Sequence, residues 1–233
     1  MATPPPSSTG SRALNSSSSI ASSDLTLVIE TATAACSVAL LDGATVLAAA
    51  HEVVGRGHAE RLVPMIASLP GEGRAARILV DVGPGSFTGV RVGLAAAVGL
   101  SIGWGVEVAG YSSLALLAAS GFAADPGIAQ LAVILEGGHG EVFMQAFHSQ
   151  PLTQDGPFRS LVPAAALEAL AGRPAFGSGV RHLAALSESL DLRETLPSAA
   201  DARLLPPDFT TLPARPIYGR APDAKTLAER GLA

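Results

Sequence analysis

The sequence predicts a two-lobed α/β protein assembled from duplicated βββαβα units. Three observations predict it. An apolar strand ending in an acid, "LTLVIE" (25–30), opens a hairpin pattern, and the same phrase returns as "LAVILE" (131–136), roughly 106 residues further on. Strand-like and helix-like hydrophobic periods alternate between the two. A glycine-rich stretch, "DVGPGSFTGVRVGLAAAVGL" (81–100), joins a strand of buried type to a run of small apolar residues, as a strand-to-helix unit does.

Taken in order, "LTLVIE" is the first strand. "CSVALLDGATVLAAAHE" (36–52) reads as the second and third, joined through the Asp42-Gly43 turn signal. "GRGHAERLVPMIASL" carries Leu62, Ile66 and Leu69 at helical spacing, with Pro64 placed to kink the helix. "RILVDV" (77–82) is nearly continuous in apolar residues, the pattern of a strand covered on both faces. The glycine loop follows, then a helix from about Val90 to Gly103, a strand near 106–110 and a helix at 112–120. The second half reads as a hairpin in "LAVILEGGHGEVFMQAFH" (131–148), a helix in "PAAALEALAG", a strand "PAFGSG" and a helix "VRHLAALSESL". Two lobes that each open on a hairpin whose first strand ends in a carboxylate have the layout of the actin-like ATPase fold, the ASKHA or RNase H-like architecture. The boundaries expected are a Ser/Pro-rich tail over 1–24, a first lobe over 25–108 and a second over 109–233.

Composition limits what such a chain can do. At 233 residues it can bury a substantial core. Charged residues make up 15%, and the net charge of −5 gives no basic field to hold nucleic acid by itself. A lone cysteine, Cys36, excludes an internal disulfide and suits a reducing compartment, so the expected location is the cytoplasm. The tail lacks the apolar core of a signal peptide. The most apolar stretch, 92–110, is broken by five glycines and Glu107, which argues against a membrane span.

The loop "GPGSFTG" invites a phosphate, because free amides and the helix dipole both face such a loop. It matches neither the Walker loop nor the dinucleotide fingerprint. Two readings stay open: Gly83, Pro84, Gly85, Ser86, Phe87, Thr88, Gly89 and Arg91 touch an anion, or the glycines allow tight turns while Ser86 or Thr88 caps the helix. Glu30 and Glu136 are the acids that an actin-like site would aim at magnesium across the cleft, and equally they are ordinary polar strand ends. The histidines form no H-x-x-x-H or H-E-x-x-H platform. His58 reads as a surface residue and Cys36 as core. Gly93, Ala96, Ala97 and Gly99 let another helix, or the chain's own sheet, approach closely.

The segments "IETATAACSVALLDG", "GRGHAERLVPMI", "GPGSFTGVRVGLAAAVGL", "GYSSLALLA", "GEVFMQAF" and "YGRAPDAK" together resemble, in their order, the TsaB/YeaZ family of the actin-like, glycoprotease-related superfamily. They run over nearly all of residues 25–225. The departures are Glu30 where the family usually has Asp, and Glu136-Gly137-Gly138-His139 where it has D-A-R-R.

The resemblance implies a non-catalytic subunit of the machinery that installs threonylcarbamoyl on N6 of the adenosine next to the anticodon, in tRNAs reading codons that begin with A. It implies a scaffold that activates the TsaD transferase, together with TsaE. The complex would use ATP, magnesium and threonylcarbamoyl-adenylate, none of them bound by this chain alone, and would meet tRNA only as a complex. The family pairs with TsaD, or with a second copy of itself, through the two helices of its first lobe. That assigns partner contacts to Leu62, Met65, Ile66 and Leu69 on one helix and to Val92, Gly93, Ala96, Ala97 and Leu100 on the other, and leaves Glu30 and Glu136 as vestigial nucleotide-site acids. The competing expectation is a stand-alone actin-fold ATPase or a glycoprotease-like peptidase.

Overall fold

A computed structural model describes residues 25–187 and 189–219. The expected tail over 1–24 and most of "YGRAPDAK" lie outside the described residues. Strands β1 (Leu25–Glu30), β2 (Ala35–Asp42) and β3 (Thr45–Val53) form an antiparallel meander, with Leu27 opposite Leu40 and Ile29 opposite Val38. Helix α1 (His58–Ala67), strand β4 (Arg77–Asp81), helix α2 (Phe87–Trp104) and strand β5 (Glu107–Tyr111) complete the lobe. The sheet order is β3-β2-β1-β4-β5, with β4 parallel to both β1 and β5.

Helix α3 (Ser113–Ala124) crosses to the second lobe, where the same path is walked again. It runs through β6 (Gln130–Gly138), β7 (Glu141–Ser149), β8 (Leu152–Leu161), α4 (Pro163–Leu170), β9 (Ala175–Phe176), α5 (Val180–Ala184) and β10 (Leu192–Arg193), giving the sheet order β10-β9-β6-β7-β8.

Period-two alternation explains how the layers stack. Leu27 and Ile29 of β1 face α1 and α2, whereas Val28 faces the other way, into a cluster shared with α3. In β6, Leu131, Val133 and Leu135 face that same cluster, whereas Ala132 and Ile134 face α4 and α5. The main core therefore lies between the two sheets and is filled by α3, whose residues Leu114 to Ala118 are almost wholly buried. A 3-10 turn at Ala199–Leu204 closes this core. The chain then returns to the first lobe, where Leu212 exchanges backbone bonds with Gly110.

Several expectations need correction. The boundary between 108 and 109 falls inside β5, whose pairing with β4 holds Glu107–Tyr111 in the first sheet. Helix α2 begins at Phe87 rather than Val90, because Ser86 caps it by accepting from the Gly89 amide at 3.2 Å. Strand β8, "LTQDGPFRSL", is an additional edge strand whose polar sequence carries no apolar alternation to signal it. The last expected helix shrinks to Val180–Ala184. His58 is buried, its Nε2 lying 3.1 Å from the Ala35 carbonyl oxygen.

Candidate functional site

The glycine-rich loop owes its composition to close packing. A Cβ at Gly85 would be driven into the Ala32 carbonyl oxygen, one at Gly89 into the Thr31 carbonyl oxygen, and one at Gly93 into the Thr31 hydroxyl. The Ser86 amide meanwhile donates to the Ala32 carbonyl at 2.7 Å. Residues Thr31 and Ala32, just past the end of β1, are thus the seat on which α2 rests. Gly83 has φ +89 and turns the chain between β4 and that seat, while Pro84 is buried and Thr88 is exposed.

Two fully buried carboxylates hold the seat from below. Asp81 Oδ1 accepts from the Thr31 amide at 2.7 Å and from the Thr31 hydroxyl at 3.0 Å. Glu30 Oε1 accepts from the Ala32 amide at 2.9 Å. The Ser113 hydroxyl lies 3.1 and 2.9 Å from the two Glu30 oxygens, and the Tyr111 hydroxyl lies 3.1 Å from Oε2 and 3.0 Å from the Ile29 carbonyl. Burial raises the Glu30 pKa to about 7, against the opposing pull of these donors. Burial first, and the Glu30 charge second, push Asp81 well above the usual carboxylate range. Its buried Oδ2 has no hydrogen-bond partner among the described residues.

Glu30 and Glu136 therefore do not converge on a metal site. Glu30 faces inward at 0% exposure, whereas Glu136 stands at the cleft, ion-paired with Arg181 and 3.2 Å from His182 Nε2. Among the described residues, no cluster of three or more His, Cys, Asp or Glu could hold a metal. A magnesium-nucleotide does not fit these two acids, because one is committed to internal donors and the other to cations. Asp81, Tyr111 and Ser113 were missed by sequence reasoning. The available signals were an acid closing an apolar strand directly before the glycine loop, and the polar Tyr-Ser-Ser heading an otherwise apolar helix.

Between the lobes lies a cleft of about 550 Å³, lined by Phe87, Arg91, Glu136, His139, Phe143 and Tyr218 among others. The Arg91 guanidinium carbon sits 3.3 Å from the Phe87 ring centre and 5.1 Å from that of Tyr218, and its NH2 group donates to the Tyr218 hydroxyl at 2.7 Å.

The third feature is the outer surface of α1 and α2, which pack side by side on the first sheet. Leu62, Met65, Ile66, Leu69, Gly93 and Ala97, assigned to a partner surface from sequence, are buried in the chain's own core, while Val92, Ala96 and Leu100 are partly buried against it. The helix register explains the correction: residues pointing at the sheet recur every three or four positions, and the exposed stripe lies between them. That stripe consists of Val63 (59% exposed) on α1 with Ala95, Val98 (43%), Gly99 and Ile102 (79%) on α2. Single exposed apolar residues are ordinary; four small or apolar residues on one face of α2, with Val63 exposed on the neighbouring helix, are an exposed apolar feature of this lobe.

Comparison with known proteins adds the following. A family model described as "TsaD: tRNA N6-adenosine threonylcarbamoyltransferase" matches residues 50–155. The tRNA threonylcarbamoyladenosine biosynthesis protein TsaB of Escherichia coli (strain K12) is 40% identical over 99 residues, covering 40% of this chain and 42% of that protein. The Bacillus subtilis (strain 168) protein of the same name is 28% identical over 219 residues, covering 87% of this chain and 94% of its own length. The solved structure of YeaZ from Pseudomonas aeruginosa superposes with a TM-score of 0.65 at 28% identity, covering 78% of this chain and 90% of that one.

Proposed function

We propose that the chain is a member of the TsaB/YeaZ family, to whose proteins it is similar, and that it serves in the synthesis of threonylcarbamoyladenosine on tRNA, as a scaffold that docks and activates the TsaD transferase. The observation that carries this reading is the uncovered apolar stripe of Val63, Val98 and Ile102 on two adjacent helices. Small residues beside it, Ala95 and Gly99, let a second pair of helices approach at close range. Helix α2 is long and apolar enough to cross a membrane by length and composition, but one of its faces is committed to the first sheet, which suits a docking helix better than a span.

The reading makes the chain a non-catalytic member of the complex, acting with TsaD and TsaE in the cytoplasm. It contacts tRNA only through them, and ATP, magnesium and threonylcarbamoyl-adenylate are used elsewhere in the assembly. Support comes from the state of the acids: Glu30 is sealed in the core and Glu136 is held by Arg181, so neither is free to serve chemistry in the cleft. The same stripe can cover itself by pairing with a second copy when TsaD is absent.

An omission assay tests the proposal. TsaD and TsaE are supplied with threonylcarbamoyl-adenylate, ATP and unmodified tRNA, with and without the chain, and with Ile102→Glu. Product that requires the wild-type chain and is lost with I102E supports docking through α2. Equal product without the chain, or product from the chain alone, overturns it.

A further inference from the structure

Helix α2 and the connection between the lobes meet at one side chain. The seat beneath α2 is held by two carboxylates, and one of them, Glu30, also takes the hydroxyls of Tyr111 and Ser113. Tyr111 ends β5 and Ser113 begins α3, so these two residues are the chain's passage from the first lobe to the second. On the other side the seat is locked into the glycine loop by the Ser86-to-Ala32 bond and by the close approach of Gly85, Gly89 and Gly93.

We propose that the Glu30 carboxylate couples the interlobe connection to the seating of α2, making the two ends one proton-responsive unit. The proposal rests on the docking role given to α2. An ionised Glu30 accepts from the Ala32 amide, Tyr111 and Ser113 in charge-assisted bonds. A protonated Glu30 must instead donate to one of those hydroxyl oxygens, and it holds the remaining donors by neutral bonds roughly half as strong. Because one carboxylate serves both ends, loosening at the interlobe end weakens the hold on the Ala32 amide, while Asp81 keeps its own bonds to Thr31. The titratable groups that face it are Asp81 from β4 and Tyr111 from β5, while Cys36 of β2, on the opposite face of the sheet, feels its charge weakly. The Glu52–Arg61 pair of β3 and α1 lies further out and acts on Cys36. From α3 it meets Ser113, and α2 presents glycines to the seat.

The test is a pH titration of the full chain followed by backbone amide NMR, with hydrogen exchange measured in parallel. The amides at Tyr111–Leu114 and at Ser86–Gly89 are expected to shift with one shared midpoint, and both responses are expected to vanish in Glu30→Gln. Ser113→Ala, which removes the hydroxyl bonded to Glu30 and leaves the Ser113 amide's bond to the Gly83 carbonyl in place, is expected to raise exchange at the Ser86–Gly93 amides about tenfold, the loss expected for one bond to a charged group. Ser37→Ala is the control: it removes a buried hydroxyl bonded to Ala50 and Ala199 and leaves those rates unchanged. Two separate midpoints, or α2 amides indifferent to S113A, overturn the coupling. Should E30Q fail to fold, the wild-type midpoints and S113A decide alone. Failure of the wild-type chain to associate with TsaD at any pH overturns the docking role instead, and the amide titration distinguishes that failure from a failure of the coupling.

Discussion

Replacing Glu30 by Gln should make this protein more stable, and increasingly so as pH rises. An unfolded glutamate titrates near 4.5, whereas burial raises the folded one to about 7. Between these values the folded chain holds a proton that the unfolded chain has lost. Stability associated with this group is therefore fully present below pH 4.5, falls as pH rises to 7, and stays low above. At 1.36 kcal/mol per pH unit the loss comes to about 3 kcal/mol. Asp81, also raised, adds a fall of the same sign.

Glutamine keeps the shape and stays neutral. Its carbonyl can accept the Ala32 amide, and its NH2 can donate to Ser113 or Tyr111, because the Tyr111 hydroxyl has the Ile29 carbonyl as a second acceptor. Groups with lowered pKa values, such as Asp191 beside Arg193, act in both proteins and cancel in the difference. Urea unfolding at pH 4.5 and pH 8 should thus find the two proteins within about 1 kcal/mol in acid, and the variant about 3 kcal/mol ahead at pH 8. The corresponding gain in melting temperature is roughly 6–12 °C. Parallel stability curves, or a variant that loses ground as pH rises, would refute the reasoning.

Three paired substitutions test the assignment of helix faces. Leu62→Ala empties a buried site and should cost about 2–5 kcal/mol, whereas Val63→Ser, one residue on but outward, should change stability by under about 0.5 kcal/mol in chemical denaturation. Gly89→Ala pushes a methyl into the Thr31 carbonyl and should cost about 1–3 kcal/mol; Gly99→Ala, with open space around it, should gain about 0.5–1 kcal/mol from helix propensity. Ala97→Leu should lower the melting temperature through overpacking, whereas Ile102→Glu should leave it within a few degrees and abolish association, as read by sedimentation velocity.

Much of the architecture was legible because hydrophobic period is a local signal. The alternation in "LTLVIE" and its return in "LAVILE" located both lobes, and Asp42-Gly43 marked the first hairpin. What could not be read was direction. Small and apolar residues occur all around α2, so nothing in the sequence says which side faces the sheet; Ala97 and Val98 look alike until the register is seen. The polar centre failed for a different reason. Glu30, Asp81, Tyr111 and Ser113 lie on four separate elements, and only the parallel pairing of β1, β4 and β5 brings them together. An acid at a strand end looks solvated in the sequence; here it is sealed under a helix.

The duplication itself bears on the proposed docking surface. In the second lobe the counterpart of α2 is α5, five residues against eighteen, following "GSG" as α2 follows "GPGS". The close approach is repeated: Gly177 presses on the Ile134 carbonyl, and the Gly179 amide donates to it at 2.9 Å. The acid is not treated alike. Glu136 turns outward to Arg181 on the short helix, which leaves the second seat without a buried carboxylate. A helix of one and a half turns gives a partner little to grip, and its seat needs no internal charge to hold it. A helix of eighteen residues with its outer face bare is held by the first sheet beneath it and by α1 beside it, with none of the described residues packed over the outer side. The two buried acids beneath Thr31 and Ala32 add to that hold. Their desolvation cost is the expected companion of a long helix displayed half-packed to solvent.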